Sequence, residues 1–147
     1  MLDQVDRRIL VLLQSDARIG YQELGEAVGL SAPAVYQRVR KLEEAGVLTG
    51  YHAAVEPSAV GWGLVAFLRV RPGHAVDRGR LEEAWAASAE VMECHLLTGA
   101  ADYLVKLRLR DLDGAHEHVA ALRRSGCEVS VEIALATPVE RRDIPVA

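Results

Sequence analysis

The chain has 147 residues, half of them hydrophobic, and a formal net charge of −4 from 17 basic and 21 acidic residues. That length suits one or two small domains, and no apolar run nears the roughly 20 residues that span a bilayer. The opening Met1-Leu2-Asp3-Gln4-Val5-Asp6 lacks the basic-then-apolar pattern of an export signal, so a cytoplasmic location with no membrane partner is expected.

Helical spacing governs the first 46 residues. Asp3 is placed to cap a first helix whose buried face is Val5, Ile9, Leu12 and Leu13. Asp16 to Gly20 breaks the pattern, and a second helix, Tyr21 to Val28, buries Leu24, Ala27 and Val28. Gly29 supplies a tight turn, since glycine reaches positive φ without steric cost. Ser31 then suits the N-cap of a third helix, with Pro33 in its first turn and Val35, Val39 and Leu42 inward. Gly46 stands where a helix-ending glycine belongs. The third helix carries Gln37, Arg38, Arg40 and Lys41 opposite its apolar stripe, with no acidic residue between 31 and 41. Two short helices meeting at a Gly-Leu-Ser turn present such a helix to the DNA major groove. The acidic total means that one copy binds weakly, so several copies are expected.

Beyond Gly46 the period changes. Val47 to Val55 reads as an extended segment or wing, and Pro57 and Gly61 mark a linker. From Gly63 the period becomes two, with Leu64, Ala66, Leu68 and Val70 alternating with Val65, Phe67, Arg69 and Arg71, and Pro72-Gly73 ends the strand. Residues 77–90 read as a helix with Leu81, Ala84 and Trp85 inward; Val91 to Thr98 is a strand, and Gly99 to Asp102 a turn. Tyr103 to Arg110 is a strand, 112–124 a helix, and the last strand has Val129, Val131, Ile133 and Leu135 inward. The order βαββαβ is that of a ferredoxin-like sandwich, with helices on one sheet face. The other face carries Val65, Phe67, Arg69, Arg71, Leu104, Lys106, Arg108, Glu128 and Glu132. The first and last strands are neighbours in this topology, so Arg69 and Arg71 are expected to pair with Glu128 and Glu132. Such a face is expected to pack against a second subunit, since Phe67, Val65 and Leu104 would otherwise be exposed together; a solvated surface is the alternative.

Cys94 and Cys127 fit a reducing compartment better than a disulfide framework. No Cys-x-x-Cys spacing accompanies them, and His116 and His118 face different sides of a helix, so no metal and no cofactor is expected. Cys94 and His95 are adjacent on a strand and point to opposite faces, which precludes a nucleophile–base pair.

Five segments carry a wider resemblance: Leu2 to Leu10, Val28-Gly29-Leu30-Ser31, Arg38-Val39-Arg40-Lys41-Leu42-Glu43, Gly46 to Tyr51, and Glu93 to Gly99. In these residues, their spacing and their order, the chain resembles the Lrp/AsnC (feast/famine) transcriptional regulators over nearly its whole length. The resemblance implies an α+β chain: an N-terminal winged-type helix-turn-helix at 1–50, a linker strand at 51–62, and a ferredoxin-like (ACT-like) effector-binding and oligomerisation domain at 63–147. It implies double-stranded DNA as a partner, an amino acid or related metabolite as effector, and dimers assembled into tetramers or octamers. Linked copies on one DNA would gain effective concentration and offset the weak charge.

On this reading Ser31, Ala32, Tyr36, Gln37, Arg38, Arg40 and Lys41 form the DNA-facing set. Tyr36 and Gln37 are expected to read base edges, while Ser31, Arg38 and Arg40 hold phosphate; a bidentate Arg38–guanine contact is the alternative. An ordinary surface helix, its basic residues paired with Glu43 and Glu44, is the competing interpretation. The effector set is Thr98, Gly99, Ala100, Asp102 and Tyr103, where loop N–H groups suit a carboxylate. Relatives commonly read Gly-Asp-x-Asp-Tyr there, and Ala100 replaces the first acid. A plain hairpin turn is the alternative for this loop. Siroheme decarboxylases resemble the same architecture, so an enzyme is the alternative function, as is a metabolite sensor that does not bind DNA.

Overall fold

In the computed structural model, which describes residues 2–141 and 143–146, the chain opens on a reciprocal cap. The Asp3 carboxylate accepts the Asp6 backbone N–H at 2.8 Å, and the Asp6 carboxylate accepts that of Asp3 at 3.2 Å. This capping box satisfies two otherwise unpaired groups and starts α1 (Gln4–Ser15). Ile9, Leu10 and Leu13 are buried, while Val5 and Leu12 are half-buried. In α2 (Tyr21–Val28) the buried residues are Leu24 and Gly25. Ala27 is exposed, contrary to the sequence reading. The inward arc runs through Leu24, Val28 and Gly25, and Ala27 lies about a third of a turn from its centre.

Gly29 ends α2 in the left-handed region at φ 73°, and the Leu30 N–H returns to the Gly25 carbonyl at 2.9 Å. The tight return presses the next helix against α2. A Cβ on Gly25 would stand 2.6 Å from the Leu30 carbonyl oxygen. Helix α3 (Ala32–Glu44) buries Val35, Val39 and Leu42 as predicted. It ends in a Schellman turn: Gly46 at φ 66°, its N–H on the Glu43 carbonyl and the Val47 N–H on that of Leu42, both at 2.9 Å.

No strand forms where the sequence suggested a wing or linker strand: 47–55 contains none, and 51–62 contains a 3-10 turn, Pro57–Val60, instead. Extended backbone is stable as a strand when a neighbouring edge takes up its N–H and C=O groups, and no other strand among the described residues pairs with this stretch. Glu56 starts the 3-10 turn by accepting both the N–H and the hydroxyl of Ser58, at 3.2 and 2.6 Å.

The chain divides into two units by contact, Met1–Ala54 with Val139–Ala147, and Val55–Pro138. By contact the tail thus groups with the helical unit. Its anchor is Gln14 on α1, whose carboxamide both donates to the Ile144 carbonyl (3.1 Å) and accepts the Ile144 N–H (2.7 Å). Val146 packs on the helical core beside them.

The second unit is built of β1 (Leu64–Pro72), α4 (Arg78–Ala87), β2 (Val91–Leu96), β3 (Tyr103–Leu109), α5 (Leu112–Arg124) and β4 (Cys127–Ile133). The sheet is antiparallel in the order β2-β3-β1-β4, which puts the first strand beside the last as expected. Ala66, Leu68 and Val70 of β1 and Val105, Leu107 and Leu109 of β3 are fully buried. Trp85 from α4 and Val119 and Leu122 from α5 cover them. Ala84 is exposed, and α4 stops at Ala87, short of residue 90. On β4, Val131 is 41% exposed, and Leu135, two residues past the strand's end, is completely so, although both were expected inside. An edge strand has a neighbour on one side only, and its far positions escape the helical cover.

Candidate DNA-reading helix and ligand loop

Helix α3 presents Tyr36, Gln37, Arg40 and Lys41 to solvent. Tyr36 is held edge-on by Tyr21 of α2, with ring centroids 5.4 Å apart at 86°. Such a contact fixes an aromatic side chain that would otherwise rotate freely. Arg40 reaches Glu44 at 3.2 Å, but both side chains are more than half exposed, so the pair is weak and easily exchanged. Ser31 occupies the N-cap with extended backbone, yet its hydroxyl makes no capping bond, and Ala32 is half-buried behind it.

Arg38 is turned elsewhere. Its Nη1 lies 2.7 Å from both the Asp3 and the Asp6 carboxylates, so the guanidinium ties α3 to the cap of α1. The Asp6 N–H and Arg38 together hold the Asp3 carboxyl below its ordinary value, and the two carboxylates raise Arg38 above its own. The clasp commits Nη1, so contact between Arg38 and phosphate or guanine falls to its other guanidinium nitrogens. Sequence reasoning missed the clasp because Asp3 was read as a cap alone and Asp6 was given no role.

The loop between β2 and β3 divides the expected effector set. Thr98, Gly99 and Ala100 line an open hollow of about 480 Å³ together with Arg69, Arg71, Glu128 and Ser130. Arg71 donates to the Ala100 carbonyl, which fixes the loop over the sheet. Asp102 is bound by Arg78 of α4 at 2.6 Å. Tyr103 points to the other side of the sheet, 2% exposed, where its ring meets Trp85 edge-on at 5.1 Å and its hydroxyl donates to Glu82. The strand period explains this, because Tyr103 shares the parity of buried Val105 and Leu107.

The Glu82 bond and burial push the Tyr103 hydroxyl up to about 12. Burial and the Glu43 carboxylate, 2.9 Å away, do the same for Tyr51. Both phenols are thus favoured neutral in the folded chain. Their stabilisation is complete below the ordinary value of about 10 and is lost as pH rises toward 12. In an absorbance titration two tyrosines should ionise near pH 12, and Tyr103→Phe should remove one of these late steps. A Tyr103 that ionises near pH 10 would disprove the Glu82 bond.

On the open face of the sheet the expected charge pairs form. Arg71 meets Glu128, directly opposite, at 3.2 Å, and Arg69 reaches diagonally to Glu132 at 3.0 Å. Val65 is buried rather than open on this face, and Phe67 and Leu104 are half-buried. Strand β2 adds Glu93 and His95, which the sequence reading left out. Glu93 accepts from Lys106 at 2.8 Å and lies 3.0 Å from His95, and these two partners hold its carboxyl below the ordinary value. The register of β2 on β3, Glu93 opposite Lys106 and His95 opposite Leu104, places them there. Cys94 sits opposite Val105 and takes the other face, as expected from strand parity.

Both units match known families. Residues 2–43 match the AsnC-type helix-turn-helix domain, and residues 65–144 match the Lrp/AsnC ligand binding domain. The chain is 42% identical over 121 residues to a leucine-responsive regulatory protein of Rhizobium meliloti, covering 80% of this chain and 77% of that one. It is 40% identical over 115 residues to the proline dehydrogenase transcriptional activator of Rhodobacter capsulatus, covering 76% and 74%. The solved structure of a Neisseria meningitidis transcriptional regulator in complex with L-Met superposes with a TM-score of 0.92 at 31% identity, covering 99% of this chain and 97% of that one. Helix-turn-helix, split βαββαβ sheet and relatives agree, and the chain belongs to the Lrp/AsnC family of transcriptional regulators.

Proposed function

We propose that this chain regulates transcription in the cytoplasm as a homo-oligomer, without a catalytic step. On this reading α3 contacts double-stranded DNA and the 98–103 loop senses an amino acid or related metabolite. The observation that carries it is the exposed face of α3, with Gln37 and Tyr36 beside Arg40 and Lys41 and an uncommitted Ser31 hydroxyl at the helix start. Tyr36 and Gln37 read base edges; Arg40, Lys41 and Ser31 take phosphate, and Ala32 keeps the helix start slim enough to approach the backbone. Arg38 works from behind as a brace on α1, with its other guanidinium nitrogens left for phosphate. Residues 1–50 serve as the reader and the domain from 63 as the sensor. The open face of that domain, with Phe67 among paired charges, suits contact with a second copy, and the L-Met complex of the Neisseria relative supports a small-molecule effector.

Fluorescence anisotropy with DNA from the protein's own upstream region, random DNA and a salt series tests the reading. Arg40→Ala should weaken binding alike on all sequences and reduce the log–log salt slope by about one unit. Gln37→Ala should instead cost about 1–3 kcal/mol at one base pair and relax preference there. Variants that both bind as wild type would remove α3 from the interface. No preference over random DNA at any salt would overturn the regulator, and a coloured preparation carrying a tetrapyrrole would favour the decarboxylase.

A further inference from the structure

We infer that the hollow beside the loop takes a small carboxylate that carries no ammonium group, such as a 2-oxo acid, in preference to the amino acid of the same skeleton. This rests on the reading of the loop as a sensor and adds the chemical class of its ligand. The lining holds two guanidiniums, Arg69 and Arg71, against one carboxylate, Glu128. That carboxylate is already engaged by Arg71 at 3.2 Å, and the nearby Glu132 by Arg69 at 3.0 Å. The loop adds no charge to the hollow, because residues 100 and 101 are alanines and Asp102 is held away by Arg78 at 2.6 Å.

Donors, by contrast, are plentiful. Arg69 spends its Nε on Glu132, and among the described residues its terminal nitrogens have no protein partner. Thr98 and Ser130 add hydroxyls to the same hollow. A guanidinium fork matches a carboxylate in two parallel bonds. An ammonium entering the same space would find no free acid, because Glu128 and Glu132 are already held by the two guanidiniums. Leaving a charged donor without a partner corresponds to about tenfold or more in affinity. The volume of about 480 Å³ is in the range that small organic ligands occupy.

Isothermal titration of the full chain with three matched pairs tests this: pyruvate and alanine, 4-methyl-2-oxopentanoate and leucine, 2-oxoglutarate and glutamate. Succinate serves as a carboxylate with neither oxo nor ammonium group. In at least one pair the oxo acid should bind about tenfold tighter or more than its amino acid. Ala100→Asp should narrow that gap by offering the ammonium a partner, and Arg69→Gln should weaken the oxo acid while the tryptophan fluorescence stays native. Succinate binding as tightly as the oxo acid would still support recognition of the bare carboxylate. Amino acids binding as tightly as or tighter than their oxo acids would overturn the inference, as would no binding of any oxo acid or succinate at millimolar concentration. DNA preference measured without ligand keeps the two readings apart. A protein that prefers its own upstream DNA but binds no oxo acid loses only the ligand class, and one that binds the oxo acid without DNA preference loses only the regulator.

Discussion

Replacing Gly25 by Val should lower the stability of the helical unit by about 3 kcal/mol, at the upper end of what overpacking costs, and abolish DNA binding. The position has no room. A Cβ there would stand 2.6 Å from the Leu30 carbonyl oxygen and 3.4 Å from the Ala32 nitrogen, and both are backbone atoms of the turn into α3. Backbone cannot swing aside as a flexible side chain does, so α2 and α3 must separate. The separation breaks the 2.9 Å bond from Leu30 to Gly25 and unseats Val35 from the core. Valine gains a little helix propensity over glycine, too little to compensate. Both tryptophans, Trp62 and Trp85, lie in Val55–Pro138, so their fluorescence reports the other unit alone. Circular dichroism should therefore show part of the helix signal melting roughly 10–20 °C earlier, while the tryptophan transition stays in place. An unchanged melting profile would mean that the α2–α3 approach is looser than described.

Leu68→Ala should cost the second unit about 2–5 kcal/mol, the usual range for emptying a buried leucine site. Leu68 is fully buried on β1, the strand flanked by β3 and β4, and its Cα partners are Val105 on one side and Val131 on the other. Sheet backbone on both sides keeps the site from collapsing, so most of the cavity persists. Tryptophan fluorescence should now report an early transition, the mirror image of the Gly25 result. A loss below 1 kcal/mol would show that the helices settle into the gap.

The reach of sequence reasoning follows from the kinds of signal involved. Val35, Val39 and Leu42 recur at helical spacing, and Leu64 to Arg71 alternate, so α3 and β1 were legible from period alone. The pairing of Arg71 with Glu128 followed once the topology was set, because antiparallel neighbours bring the end of one strand to the start of the other. Ala27 and Ala84 went wrong because alanine is small enough to sit on either side of an amphipathic boundary. Gly25 was overlooked because its importance lies in the neighbour that presses on it, a tertiary fact with no trace in periodicity. The same holds for Arg38, whose partners are 35 and 32 residues away, and for Tyr103, grouped with the loop by motif but turned to the core by strand parity. The tail at 139–146 has too few apolar residues to show a period, and its anchor is a glutamine, a residue type that sequence patterns leave unassigned.

That anchor has a consequence for how the molecule is made and cut. The entire stretch 55–138 is interposed between the two pieces of one unit, so the helical bundle is begun first and finished only after the sheet has been synthesised. Until Ile144 arrives, Gln14 has only water for company and the apolar rim that Val146 covers stays bare. A fragment ending at residue 54 would contain all three helices and still be a bundle with an open seam.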